Sequence, residues 1–273
     1  MKGQSGGAAP WRGAGRGLAV RGMARAAAPA VVCLVLASAA QSAVRVSPAA
    51  PLPSPIPEAG TEPRAAALAA AAAAECALLA PAVSGERVLL AGVARRGEEE
   101  GVRRVLSELG VAASTVELRI DPFDAAFCDA LAAIRPAASP HPAGPRLVLL
   151  SPQPLVEGQN LRFRVEMPDW QAFLHVLYLT SDGQAGNLVQ AGDAPHARRA
   201  APQFGQPYWR SSAPWGTDLV LVVASERPLF PPRRVSERTE DAVAALSGAV
   251  RAAQQSGRRV EAWAFTHRKE PAR

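Results

Sequence analysis

Residues 157–179 read EGQNLRFRVEMPDWQAFLHVLYL, and the alternation inside them decides the fold class. Leu161, Phe163, Val165 and Met167 fall on one side of an extended chain, with Arg162, Arg164 and Glu166 on the other. Side chains alternate faces only in a strand, and one buried and one wetted face mark an antiparallel sheet. Phe173–Leu179 is almost wholly apolar and reads as a central strand. Ser181-Asp182-Gly183-Gln184 is a hairpin turn returning through Asn187-Leu188-Val189.

Working outward, Arg146–Leu150 is a first strand and Thr217–Ala224 a buried one; Glu237–Ala253 carries Val243, Leu246 and Val250 on one helical stripe. Val260–Phe265 closes the unit, and residues 268–273 read as a tail. This second domain, 146–267, holds 11 of the 14 aromatic residues, so the better core is expected here. Pro136–Pro145, with four prolines, reads as a linker and domain boundary.

A smaller domain is expected over 64–135. Arg64–Leu79 is Ala-rich and reads as a helix ended near Pro81. Arg87–Ala91 is a strand, and Glu98–Leu109 an amphipathic helix with Val102, Val105, Leu106 and Leu109 on one face. Thr115–Ile120 is a strand, and Asp121-Pro122 opens a last helix, Phe123–Ile134. The expected class is therefore α+β: a two-layer αβαβα unit, then a mainly antiparallel sandwich-like domain with a C-terminal helix and strand.

The net charge of +6 invites a nucleic-acid reading, which the distribution removes. Five basic residues (Lys2, Arg12, Arg16, Arg21, Arg25) and no acid lie in residues 1–39, leaving 25 bases against 24 acids elsewhere. A nearly neutral body lacks a phosphate-binding face. The basic start, the uncharged run Ala26–Ala40 and the small-x-small step Ala37-Ser38-Ala39 read as an export signal, with an uncut N-terminal anchor as the alternative. Cys33 sits mid-run behind Val31-Val32, unlike a lipid-attachment cysteine. Residues 40–63, with six prolines from Ser47 onward, form a spacer. Export places the mature chain in the periplasm with two cysteines, Cys76 and Cys128, most simply read as a disulfide; two separate buried thiols are the alternative.

Two resemblances follow from these residues. Arg87-Val88-Leu89-Leu90-Ala91-Gly92, the following helix, and Leu109-Gly110-Val111 leading to Val116-Glu117-Leu118 resemble the BON domain, a small αββ-type module of exported envelope proteins. That resemblance implies an architecture; BON domains are linked to phospholipid or peptidoglycan surfaces. With seven basic against ten acidic residues over 75–135, attraction to anionic lipid is not expected. The Glu157-Gly158 turn, the two strands after it, Pro214-Trp215-Gly216-Thr217-Asp218 and Ser225-Glu226-Arg227-Pro228-Leu229-Phe230 are similar to a bacterial domain family of unknown function. That family lies C-terminal to serine/threonine kinases and caspase-like peptidases, and in stand-alone exported proteins. It implies an accessory or sensing module and supplies no catalytic residues.

No chemistry-bearing motif stands out. There is no phosphate-covering glycine loop, His-Arg-Asp or Asp-Phe-Gly, no Gly-x-Ser-x-Gly, and the four histidines (His141, His175, His196, His267) lack ligand spacing. No enzyme, cofactor or metal is expected. Phe204, Tyr208, Trp209, Arg210 and Trp215 lie in what reads as an irregular loop, 191–216, and form a candidate binding surface for a peptide, glycan or envelope protein. Folding back to cap the sandwich is the alternative. Glu226 and Arg227, just after a buried strand, are candidate ligand-facing charges or a salt-bridged corner. The expected function is non-catalytic binding or sensing in the cell envelope, and the second resemblance implies a place beside a serine/threonine kinase system. The alternatives are an envelope assembly factor on lipid or peptidoglycan, peripheral to the membrane, and then a hydrolase.

Overall fold

The computed structural model describes residues 62–272 except 125, 142 and 193, so the stretch expected to be an export signal and most of the expected spacer lie outside the described residues. The described residues fall in one compact unit with an α+β fold.

Helix α1 (Pro63–Ala73) opens the unit, with Pro63 at its first turn, where a missing N–H costs nothing. It is shorter than the Ala-rich run suggested. The chain turns extended at Ala74 and, after Cys76, continues as strand β1 (Ala77–Ser84). Pro81 lies inside β1, not at a helix end. β1 is an edge strand, where an absent N–H is tolerated. Strand β2 (Arg87–Arg95) pairs antiparallel with β1 and parallel with β3 (Val116–Phe123); helix α2 (Glu98–Glu108) makes the parallel crossover. Gly92 is required where β1 passes: its φ is +153°, and a Cβ there would sit 2.0 Å from the Leu78 carbonyl oxygen. β3 runs on through Phe123, which is fully buried, so the last helix of this half, α3 (Cys128–Ile134), starts later than its sequence suggested.

Two further sheets follow. Strands β4 (Arg146–Leu149), β6 (Asn160–Glu166) and β9 (Gln203–Arg210) form one, in the order β4-β6-β9. Strands β5 (Leu155–Val156), β7 (Phe173–Leu179), β8 (Gln184–Val189), β10 (Gly216–Ser225), β11 (Ser236–Arg238) and β12 (Val260–Glu270) form the other, in the order β11-β8-β7-β10-β12-β5. β7 and β10 are central, as their apolar runs require. Phe163 and Val165 of the small sheet, with Met167 just past the end of β6, share a buried cluster with Val176, Val220 and Val222 of the large one, closing a sandwich. Helix α4 (Thr239–Gln255) covers the other face of the large sheet with Leu246 and Val250.

The two expected domains share this core. Leu78, Val93 and Phe123 lie in one buried cluster with Leu177, Leu221 and Leu246. The Pro-rich stretch 136–145 does not separate them: Arg135–Ala137 is a 3-10 turn, Ala138 bridges Ala262, and Ser139 N–H donates to the Ala262 carbonyl at 3.0 Å. Among that segment's atoms the Pro136 carbonyl also accepts from the Gln254 side chain at 2.6 Å.

Arg135 ties the end of α1 to this seam. Its guanidinium donates to the carbonyls of Ala74, Glu75 and Ala77 at 3.1, 2.7 and 3.0 Å, so it gathers the acceptors of the turn that leads from the end of α1 into β1. Arg135→Met is expected to cost about 2–3 kcal/mol by leaving the partly buried Ala74 and Ala77 carbonyls unpaired. A urea titration checks this; a cost below about 0.5 kcal/mol would mean that water replaces the guanidinium.

Candidate functional site

Side chains on the even positions of β10 and β7 point into the sandwich, and at its open end this stripe turns polar. Asp218 opposes His267 directly across β10 and β12, Lys269 lies two residues further on the same face, and Tyr178 of β7 is the diagonal neighbour. Asp218, His267 and Lys269 are all buried. Lys269 Nζ stands 2.7 Å from Asp218 Oδ2, which also accepts the Tyr178 hydroxyl at 2.7 Å; Asp218 Oδ1 accepts the Ser181 N–H at 3.3 Å. Tyr178 Oη is 2.6 Å from His267 Nδ1.

The bonding order follows from counting protons. The tyrosine hydroxyl has one, and it goes to Asp218. His267 Nδ1 must then carry a proton and donate to the tyrosine oxygen, so Nε2 is left as a bare acceptor. That Nε2 is buried and has no hydrogen-bond partner. Burial drives the His267 value down to about 4, with the Lys269 charge adding to it, so the ring is neutral at neutral pH. Burial likewise lifts Tyr178 well above its usual range, and Asp218 accentuates this. Asp218 itself is raised by burial, against the downward pull of Lys269, Tyr178 and the Ser181 N–H.

Above this network lies a cavity of about 230 Å³, open to solvent. Tyr178, His267 and Lys269 line it from the large sheet, together with Thr180, Asp182 and Gln184 of the β7–β8 hairpin. Leu161, Trp209 and Arg210 line it from the small sheet, and residues Ser211–Pro214 close its side. Asp182 accepts from the Thr180 hydroxyl, and Arg210 Nε donates to the Gly158 carbonyl at 3.1 Å.

The sequence-based candidates divide around this cavity. The stretch holding Phe204, Tyr208, Trp209 and Arg210 is strand β9, paired with β6, and not an irregular loop. Phe204 and Trp209 turn inward onto Phe163, with ring centroids 5.4 and 5.7 Å away, so they do cap the sandwich. Trp209 and Arg210 nevertheless reach the cavity wall. Trp215 is partly buried just before β10 and is not among the lining residues. Glu226 and Arg227 are exposed and lie away from it; the Glu226 carboxylate accepts the Arg259 N–H at 3.3 Å, so no Glu226–Arg227 corner forms. Cys76 and Cys128 are disulfide-bonded, joining the turn after α1 to the first residue of α3, not the first helix to the last.

Tyr178, Asp218, His267 and Lys269 were not singled out by the sequence. The one available signal is Asp218, a charge in phase with the apolar positions Val220, Val222 and Ala224 of its strand. His175 takes the place expected of a core histidine: it is buried against Phe230 at 4.9 Å and accepts the Leu229 N–H at 3.4 Å. Burial lowers it to about 4.

These two histidines set an acid-side instability. Between about pH 6.5 and 4 the unfolded chain takes up protons on both that the folded chain refuses, so their contribution is complete above 6.5 and declines as pH falls toward 4. Asp218, raised by burial, is protonated more readily in the folded state and acts in the opposite sense, offsetting part of this loss. Thermal midpoints should therefore fall across this window, and a His175→Gln/His267→Gln variant should flatten the profile; equal slopes would contradict the assignment.

Among the described residues no group of His, Cys, Asp and Glu is arranged to hold a metal ion, and no helix is long and apolar enough to cross a membrane. Comparison with family models, with curated proteins and with solved structures finds no match to the chain.

Proposed function

We propose that this chain is a non-catalytic, exported binding or sensing module of the bacterial cell envelope, acting through the cavity at the open end of its sandwich. One observation carries the reading: four polar side chains, Asp218, Tyr178, His267 and Lys269, are held beneath an open cavity in place of an apolar plug. Taking such groups out of water is costly, and apolar residues of similar volume would close the sandwich more stably. Perturbed titratable groups beneath a cleft are where a ligand site is first sought.

The catalytic alternative has less support. The neutral imidazole could act as a base, yet Nε2 has no hydroxyl or thiol within bonding distance to activate. The basic, then uncharged N-terminal stretch read as an export signal supports an envelope location, and the resemblance read in the motifs of residues 146–267 supports a role as accessory to a serine/threonine kinase system.

The test uses the purified protein and an enzymatic digest of cell-envelope peptidoglycan. Wild type should unfold at a higher temperature with the digest present, while Ser212→Trp, which fills the cavity from its exposed wall, should not respond. Mass spectra of the digest should be unchanged by incubation. Equal responses of both proteins, or new cleavage products, would overturn the reading.

A further inference from the structure

The two lips of the cavity carry opposite charges. Asp182 belongs to the β7–β8 hairpin of the large sheet, and Arg210 ends β9 of the small sheet. Their contacts within the protein are to neutral groups: the Thr180 hydroxyl for Asp182 and the Gly158 carbonyl for Arg210. Most other close charged pairs at the surface, such as Arg96–Asp124 and Arg238–Glu240, are built from side chains that answer each other directly. Beneath the lips, Lys269 and Asp218 neutralise one another, so the floor has no net charge to offer. Between lips and floor the wall is apolar, from Leu155, Leu161, Leu188 and Trp209.

We propose that the cavity binds a small zwitterion with an apolar side chain, an α-amino acid or a very short peptide. Its ammonium meets the Asp182 carboxylate, its carboxylate meets the Arg210 guanidinium, and its side chain enters the leucine-lined wall. This rests on the reading of the cavity as the binding site and names what fills it. Size agrees, since about 230 Å³ is smaller than the roughly 300–1,000 Å³ of sites that hold drug-sized molecules. Arginine suits the carboxylate end because its planar fork can bond both oxygens. An uncharged sugar would use neither lip.

Calorimetric titration of the purified protein tests this with leucine, leucyl-leucine, N-acetyl-leucine (no ammonium) and leucinamide (no carboxylate). Leucine or leucyl-leucine should bind, and each singly charged analogue should bind at least about tenfold more weakly. Asp182→Asn should erase the preference for leucine over N-acetyl-leucine and keep that over leucinamide. Arg210→Gln should do the reverse. Both side chains are exposed, and unchanged thermal midpoints will show that the variants fold. Equal affinity for all four probes, or binding of none, overturns the proposal. If the four probes fail while the peptidoglycan digest still stabilises wild type and not Ser212→Trp, only the zwitterion is wrong. If the digest fails as well, the cavity is not a binding site.

Discussion

Lys269→Met lowers the free energy of unfolding by about 3–5 kcal/mol, the loss expected when one member of a buried ion pair is removed and the other is left in place. Lys269 is 6% exposed and Asp218 0%, so both charges are desolvated in the folded protein and loss of the ammonium leaves a buried carboxylate without its counter-charge. The stranded carboxylate would retain only the Tyr178 hydroxyl and the Ser181 N–H, and would take up a proton well above its ordinary range. Lys269→Met/Asp218→Asn should recover much of the loss, because an uncharged amide can still accept from Tyr178. Urea unfolding of the two single variants and the double variant closes the cycle; strictly additive costs would mean the two groups do not interact. The exposed Arg96–Asp124 pair, two-thirds open to solvent on both sides, is the natural contrast: its removal should leave the midpoint nearly unchanged.

Reduction of the Cys76–Cys128 disulfide should cost about 4 kcal/mol on the chain-entropy scale for its 52-residue separation. In a folded unit of this size that corresponds to roughly 8–16 °C in the thermal midpoint. The effect should be local as well as global. Helix α1 packs through Ala66, Ala67 and Ala70, which bury little surface, so its attachment depends on the bond and on Arg135. Hydrogen exchange in α1 and β1 should speed up on reduction before the sandwich is affected. Intact mass with and without reductant and alkylation tests the bond itself: two freely alkylated thiols in the untreated protein would contradict it.

Strands that bury one whole face were legible from residues alone. Leu161–Glu166, Phe173–Leu179 and Thr217–Ala224 all lie in strands, because period-two alternation or an unbroken apolar run has few other solutions. Elements whose identity depends on partners were not. Ala-rich residues near Ala77 favour a helix locally, yet pairing with β2 and the bond at Cys76 draw the chain into β1. β9 was hidden by Gly205 and Pro207, residues that usually end strands. At this edge position the proline N–H is not needed, and a Cβ on Gly205 would come within 2.9 Å of the Arg162 side chain. Lys269 read as tail because nothing near it in sequence explains a buried lysine; its partner, Asp218, is 51 positions away and meets it only through the β10–β12 register. For the same reason the candidate site was half visible. Trp209 and Arg210 stand out as residue types, whereas Tyr178, Asp218 and His267 become a group only once three strands are side by side.

Backbone amide shifts of the isotopically labelled protein, recorded while the peptidoglycan digest is added, bear most directly on the claim that the sandwich mouth is where this molecule meets its ligand. Perturbations should gather at Thr180–Gln184, Arg210–Ala213 and His267–Lys269, and saturate. A spectrum that does not change, or one whose changes gather on the far side around α1 and β3, would contradict it.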